Sequence, residues 1–270
     1  MQVADVMIAG RPMSVAGHAE DSFFAHAAEH AAGLAPLRAV AAAAVPADGV
    51  ILDIGANIGL SALAFAGLVP AGRILAVEPS PRSLAALRET LRLNGLAGRV
   101  AVAPVALADA PGTLAFHEAE HSAGAHLLDP NMLAGIVGAQ VTVPVTTLDA
   151  LVAEHALPAL HFVKIDVEGF ETEVMAGASA TFARHRPVVF AEFNAWVLQA
   201  LRNANPRATL EGWMARFPVV HAMRQGRAPW RLTPENLLDF LHDHLVVRGC
   251  ADDLVLSWDD AWLPRYQVPD

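Results

Sequence analysis

The sequence predicts an α/β fold in which a mostly parallel sheet carries helices on both faces, and three observations predict it. From Val50 onward, short apolar runs alternate with stretches of helical period, the pattern of repeated βαβ units. The run Val50–Ile54 passes directly into a loop containing Gly55 and Gly59 and then into an apolar helix. Such a loop permits tight turning and lets a ligand lie against backbone amides at a helix N-terminus. The next apolar run ends at Glu78, so acids stand at two successive strand ends, where sheets of this kind bind ligands.

Taken in order, the first fifty residues are the least patterned. Asp21–Ala32 and Leu37–Val45 read as helices, so residues 1–48 are expected to form a small helical cap beside a main domain spanning 49–270. Val50–Ile54 is a strand, Leu60–Leu68 a helix, Arg73–Val77 a strand, and Pro81–Leu93 an amphipathic helix ended by Asn94-Gly95. A strand follows at Arg99–Val105, with β-rich segments at Thr113–Phe116 and Val141–Val145 and a short helix at Leu148–His155. His161–Ile165 is a strand, Glu171–Met175 lies in a helix, and Pro187–Glu192 is a strand. The remainder reads as helix near Leu210–Arg216, strand near Val219–Met223, helix near Glu235–Leu245 and strand at Asp253–Trp258.

Composition narrows the function. Hydrophobic residues make up 54% of the 270 and mean hydropathy is +0.37. The long uncharged stretch Ile54–Gly72 is interrupted by Gly55, Asn57, Gly59, Gly67 and Pro70, whereas a membrane span needs about 20 predominantly apolar residues. It reads as strand end, glycine loop and buried helix, with no membrane span expected. Met1–Gly10 lacks a basic segment followed by an apolar core, and Cys250 is the single cysteine. A cytoplasmic setting without disulfides is expected. The net charge of −10, with no basic run, argues against nucleic acid as a partner.

Asp53 and Glu78 carry the chemistry of the glycine loop. Asp53 can anchor a cationic group such as the amino group of a methionine moiety, and an anionic pyrophosphate would be repelled there. The spacing also departs from the GxGxxG pattern of dinucleotide sites. Glu78 falls about 20 residues beyond the loop, the separation at which an acid binds both ribose hydroxyls. Together they fit an adenosyl cofactor that bears a sulfonium and an amine.

Two further stretches are distinctive: Phe162-Val163-Lys164-Ile165-Asp166-Val167-Glu168-Gly169-Phe170-Glu171 and Pro187-Val188-Val189-Phe190-Ala191-Glu192. With Leu52–Gly59, Val77-Glu78-Pro79, Val105–Asp109 followed by Gly112, and Thr147-Leu148-Asp149, they resemble the FkbM-type methyltransferases over roughly Val50 to Asn194. The resemblance implies a Rossmann-like class I methyltransferase fold with a mostly parallel seven-stranded sheet. It also implies S-adenosylmethionine as cofactor, S-adenosylhomocysteine as product, and methyl transfer to a hydroxyl of a small molecule, sugar or natural product. It would place Asp53, Gly55, Ala56, Asn57 and Gly59 on the methionine side and Glu78 and Pro79 at the ribose. Ala108 and Asp109 would lie near the adenine, and Asp166 beside the transferred methyl.

A hydroxyl acceptor must lose its proton to a base or to a metal that lowers its pKa. Asp166 is the first candidate for base or orienting group, Glu192 the second, and His121 or His126 a third in a loop over the cleft. Asp166, Glu192 and Asn194 are hard oxygen ligands of the kind Mg2+ accepts. Lys164 and Glu168 read equally as an ion pair or loop cap. His117-Glu118-Ala119-Glu120-His121 spells the zinc-protease motif HExxH, but the preceding strand pattern and Ser122-Ala123-Gly124 deny it the helix that chemistry needs. Arg202, Arg207 and Arg224 could recognise an anionic acceptor, although solvated surface positions suit them better. The five tryptophans from Trp196 onward read chiefly as core or interface. A homodimer contact through the cap, N- or C-methylation, and a non-catalytic adenosyl-binding subunit are the alternatives left open.

Overall fold

The computed structural model describes residues 1–118, 126–127, 139–250 and 252–269. The N-terminal segment begins with a β-hairpin, not with a helix: β1 (Gln2–Ile8) pairs antiparallel with β2 (Arg11–Gly17). The turn between them is Ala9-Gly10, with φ of 51° and 75°, the left-handed pair that a tight two-residue hairpin requires. Helices α1 (Ser22–Ala25), α2 (Ala27–Gly33) and α3 (Ala35–Ala44) follow. The Asp21 carboxylate caps α1 by accepting from the Phe23 amide at 3.0 Å.

The main domain then alternates. β3 (Val50–Ile54), α4 (Leu60–Ala66), β4 (Arg73–Val77), α5 (Pro81–Leu93) and β5 (Val100–Ala103) form two consecutive βαβ units. Next come β6 (Ala106–Leu107), β7 (Gly112–Glu118), β8 (His126–Leu127), β9 (Ala139–Thr146) and α6 (Leu148–Glu154). After β10 (Phe162–Ile165), helices α7 (Glu171–Ala176) and α8 (Ser179–His185) lead to β11 (Val188–Ala191). The remainder comprises α9 (Ala195–Ala200), α10 (Pro206–Arg216), β12 (Val219–Met223), β13 (Trp230–Arg231) and α11 (Leu237–His242), then a π-helical turn at Asp243–Val247 and β14 (Asp253–Ser257).

The principal sheet has the order β13-β12-β14-β11-β10-β3-β4-β5. Its five strands from β11 to β5 are parallel, and β14 enters antiparallel between β11 and β12. This is the Rossmann-like arrangement expected, with the seven strands extended by the two-residue edge strand β13. A separate four-stranded sheet, β6-β9-β7-β8, stands beside it.

Strand alternation divides the core. Ile51, Ile74, Ala76 and Phe162 face α3, α4, α5 and the hairpin. Leu52, Ile54, Leu75, Val77, Val163 and Ile165 face the helices of the opposite layer. All seven residues of α4 are buried, which accounts for the long uncharged stretch as a helix enclosed on all sides. Among the described residues, no helix is long and apolar enough to cross a membrane. Helix α5 starts on Pro81 behind a Ser80 cap and buries Leu84, Leu87 and Leu91, the i, i+3, i+7 stripe of an amphipathic helix. Its far end pins the hairpin: Asn94 Oδ1 accepts from the Ser14 amide at 3.1 Å, and Thr90 Oγ1 accepts from the Ala16 amide at 3.0 Å.

One glycine fixes how closely two central strands approach beyond their ends. At Gly55 φ is +74°, and a Cβ there would lie 1.8 Å from the Asp166 carbonyl oxygen. Gly55→Ala is expected to cost at least about 3 kcal/mol, since left-handed strain adds to a clash with backbone. Gly98→Ala, where a Cβ meets nothing within 4 Å, should change stability by less than about 0.5 kcal/mol. Urea unfolding midpoints of the two variants check this.

Candidate active site

The strands β4, β3, β10 and β11 end level with one another. The first residue beyond each is held by one more ladder bond to its neighbour. Glu78 donates its amide to Ala103 O at 3.1 Å, Gly55 to Val77 O at 3.0 Å, Asp166 to Ile54 O at 3.2 Å and Glu192 to Ile165 O at 2.9 Å. These four residues border a cleft of about 430 Å³ at the carboxyl ends of the strands. Because β14 runs antiparallel, its first residue, Asp253, reaches the same cleft. Phe23, Glu29, His30 and Leu34 of the N-terminal segment close the other side, with Val105, Ala106, Leu107 and Phe116 at one end.

Lys164 braces the floor. Its side chain is buried, and Nζ donates to Gly55 O at 2.9 Å and lies 3.1 Å from Asp166 Oδ2 and 3.8 Å from Asp53 Oδ1. Burial works against the ammonium, but Asp166 and Asp53 more than offset it and hold its pKa above the ordinary lysine value. Asp53 is fully buried and accepts from Ser61 Oγ at 2.7 Å. Burial pushes its carboxyl up, opposed by Lys164 and Ser61.

Glu78 has two duties. Oε2 accepts from the Asn57 amide at 2.8 Å and Oε1 from the Ser80 amide at 2.9 Å, while the side chain borders the cleft. Burial raises its pKa to about 7, against the pull of those two amides. Glu171 repeats the device one loop away: Oε1 accepts from the Val167 and Gly169 amides at 3.0 and 3.1 Å, and burial again raises the pKa to about 7. Glu168 sits between them with a φ of 54°. Its carboxyl is pushed well up by burial and by Asp166 and Glu171. Glu192 is pushed well up by burial and by Glu168 and Asp166. Its Oε2 has no hydrogen-bond partner among the described residues.

Several expected roles change once the side chains are in place. Asp53 does not border the cleft, because it is turned into the core between Ser61 and Lys164. The loop amides are not free donors: Gly55 and Ala56 both give theirs to Val77 O, Asn57 to Glu78 and Gly59 to Ala56 O. Gly59 serves packing, since a Cβ there would meet Leu87 at 2.9 Å and Thr90 at 3.3 Å. What the loop presents is the surface of Gly55, Ala56 and Asn57, with Pro79 across from it. Ala108 and Asp109 do not line the cleft, whose end is formed by the residues just before them, Val105–Leu107. Ala108 is instead tied to Thr146 O at 3.0 Å, and Asp109 is exposed.

Asn194 is turned away as well, capping α9 by accepting from the Val197 amide at 3.2 Å and donating to Glu192 Oε1 at 3.3 Å. The oxygens that could hold a divalent cation belong to Asp166, Glu168 and Glu192, which come within 4.8 Å of one another. His117 and Glu118 lie on strand β7, and Glu118 accepts from Ser80 Oγ at 2.6 Å. The helix that HExxH chemistry needs is therefore absent at these two residues. His121 lies outside the described residues, as does the side chain of His126. None of the five tryptophans borders the cleft, and Trp213 and Trp262 are core residues.

Sequence reasoning read Lys164 as an ion-pair candidate but missed its bond to Gly55 O, and it missed the cleft positions of Phe23, Glu29, His30 and Asp253. Lys164 carried a signal: a lysine inside an otherwise apolar strand must be paired. The others carried none, because their positions depend on strand direction and on how the first helices dock.

A methyltransferase FkbM domain model matches residues 53–211. Among curated relatives, "2-O-methyltransferase NoeI" of Sinorhizobium fredii is 29% identical over 162 residues, covering 54% of this chain and 64% of the relative. "31-O-demethyl-FK506 methyltransferase FkbM" of Streptomyces tacrolimicus is 33% identical over 171 residues, covering 53% and 65%. The chain thus spans slightly less than two thirds of their length. Among solved structures, the O-methyltransferase from Bacillus cereus in complex with SAH gives a TM-score of 0.45 at 15% identity, covering 83% of this chain and 79% of that one.

The site's carboxyls make stability depend on pH. Glu78, Glu171 and Asp253 have pKa values raised to about 7 from 4.5, 4.5 and 3.8. Between those limits the folded chain binds more protons than the unfolded one, so stability falls as pH rises. The melting temperature of the ligand-free protein should drop between about pH 5 and about pH 8, and Glu78→Gln should flatten the drop. Differential scanning calorimetry across that range checks it. Lys164→Met, which leaves Asp53 buried without its cation, should cost about 3–5 kcal/mol by the same method.

Proposed function

The chain belongs to the FkbM methyltransferase family, and on that premise we propose that it transfers a methyl group from S-adenosylmethionine to a hydroxyl oxygen of a small-molecule, sugar or natural-product acceptor. The observation that carries this reading is the convergence of the Gly55–Asn57 loop, Glu78 and Asp166 on one cleft at adjacent strand ends. Bound there, the cofactor supplies an electrophilic methyl carbon on a cationic sulfur.

The residues present fit such a group. Each Glu78 oxygen accepts one backbone amide and keeps a lone pair for a ribose hydroxyl. Val105, Leu107 and Phe116 offer an apolar end suited to a flat base, and the carboxylates of the floor favour positive charge. Asp166 pairs with Lys164 at 3.1 Å, which suits it to orient an acceptor hydroxyl. Glu192 suits the role of base, because its Oε2 has no partner among the described residues, and burial with the neighbouring acids raises its affinity for a proton. With the cofactor bound there, Asp166 would orient the acceptor hydroxyl toward the methyl group and Glu192 would take up the hydroxyl proton. We take residues 1–48 as a cap on the domain formed by 49–270.

Calorimetric titration with S-adenosylhomocysteine, with NAD as a comparison, tests the reading. Binding of the adenosyl ligand alone is expected, weakened at least about tenfold by Glu78→Ala through loss of the ribose contact and loosening of the loop. Binding of NAD but not of S-adenosylhomocysteine would refute it. With an acceptor in hand, Glu192→Gln should lower kcat by about 100-fold or more while leaving S-adenosylhomocysteine affinity unchanged.

A further inference from the structure

The N-terminal segment supplies a wall of the cleft that the family match, which begins at residue 53, does not reach. Phe23 of α1 and His30 of α2 stack with ring centroids 4.0 Å apart and planes inclined by 20°. Both rings border the cleft, together with Glu29, Gly33 and Leu34. The strand-end loops, Glu78 and the apolar end at Val105–Leu107 account for the cofactor side. The stacked pair and the carboxylates of Asp166, Glu168 and Glu192 remain for the second substrate.

The charge of this remaining wall is one-sided. Glu29, Asp166, Glu168, Glu192 and Asp253 border the cleft there, and among the described residues the one Lys or Arg that borders it is Lys164, whose ammonium is already shared between Gly55 O, Asp166 and Asp53. Burial and the neighbouring His26 hold the His30 imidazole below its ordinary pKa, with Glu29 and Asp21 acting in the opposite sense, so His30 adds little positive charge at neutrality. The three arginines singled out for an anionic acceptor are occupied elsewhere. Arg202 pairs with Glu173 and lies over the Phe170 ring at 3.7 Å, Arg207 pairs with Glu211 at 2.8 Å, and Arg224 pairs with Asp243 at 2.5 Å.

We propose that the Phe23–His30 pair is the acceptor-recognition surface of the cleft, and that it admits a ring-bearing hydroxyl acceptor without negative charge while the surrounding carboxylates reject its anionic counterpart. This rests on the methyl-transfer reading above. A flat pair of rings holds the apolar face of an acceptor ring, and carboxylate oxygens accept from its hydroxyls. An acceptor carboxylate or phosphate would meet a cluster of acids in a partly desolvated cleft, with no free cation among the described residues to receive it. Selectivity of this kind comes from a repulsive element built against the wrong substrate.

The test uses the full chain, methyl-tritiated S-adenosylmethionine and two matched pairs of probes: p-nitrophenyl glucoside with p-nitrophenyl glucuronide, and catechol with protocatechuate. Transfer to at least one neutral probe is expected, with kcat/KM at least about tenfold above its anionic partner. Phe23→Ala and His30→Ala should each raise KM for that probe about fivefold or more with kcat within about twofold, and Phe23→Trp should restore it. Glu29→Lys, on the exposed side of the cap, should narrow the discrimination by admitting the anionic probe. Equal or better use of an anionic probe, or an unchanged KM in Phe23→Ala and His30→Ala, would overturn the proposal. So would failure of both neutral probes with protein that binds S-adenosylhomocysteine. Failure of that binding itself would instead remove the methyl-transfer reading on which the proposal rests.

Discussion

The cleft depends on a single buried ammonium. Lys164 projects from a strand otherwise made of Phe162, Val163 and Ile165, and its Nζ reaches the carbonyl of Gly55 in the adjoining strand's loop while pairing with Asp166 just beyond its own strand. Removing a charge from water is expensive and is offset only when the charge is paired and fully hydrogen-bonded. Lys164 meets that demand by drawing a carbonyl and two carboxylates toward one point, and this convergence brings the ends of β3 and β10 together. Gly55 follows from it: with the Asp166 carbonyl oxygen 1.8 Å from where its Cβ would stand, no other residue fits. Asp53 extends the brace to α4 through Ser61.

The loops around the cleft are organised from within by carboxylates. Glu78 gathers the amides of Asn57 and Ser80, and Glu171 those of Val167 and Gly169. Side-chain oxygens replace backbone partners that loops cannot otherwise provide. The price is that buried acids crowd one end of the sheet, which pushes Glu168 and Glu192 upward by burial and mutual repulsion. A cationic ligand or an additional proton relieves that crowding, so the architecture that fixes the loops also sets what the cleft accepts.

Much of the fold was legible because the βαβ rhythm from Val50 onward is strong and the buried strands are continuous apolar runs. The hairpin at the N-terminus was not read, although Ala9-Gly10 between two runs of seven residues was the available signal. Helices α8 and α9 were not read. Gly55, Asn57, Glu78, Pro79, Asp166 and Glu192 border the cleft; spacing singled out the glycine loop and the acidic strand ends, and the family resemblance pointed to Asn57 and Pro79. Asn194 was misread because a helix cap and a metal ligand call for the same side chain, and only the neighbouring Val197 amide decides between them. Ala108 and Asp109 were misplaced because strand β6 turns into the second sheet before reaching them.

Sequence alone determined the class of fold, the alternation of strands and helices from Val50 through β11 and the acids and glycines at the strand ends, because these follow from local periodicity and from residue chemistry at fixed spacing. Tertiary structure decided which of those groups face the cleft. Asp53 and Glu78 look equivalent in sequence, yet one is enclosed between Lys164 and Ser61 and the other opens onto the site. It also decided that Asp253 and the Phe23–His30 pair, separated by more than two hundred positions, share one cavity. The reason is physical: strand direction, helix docking and the competition of nearby amides for each carboxylate are set by contacts between distant segments, and no window of sequence contains both partners.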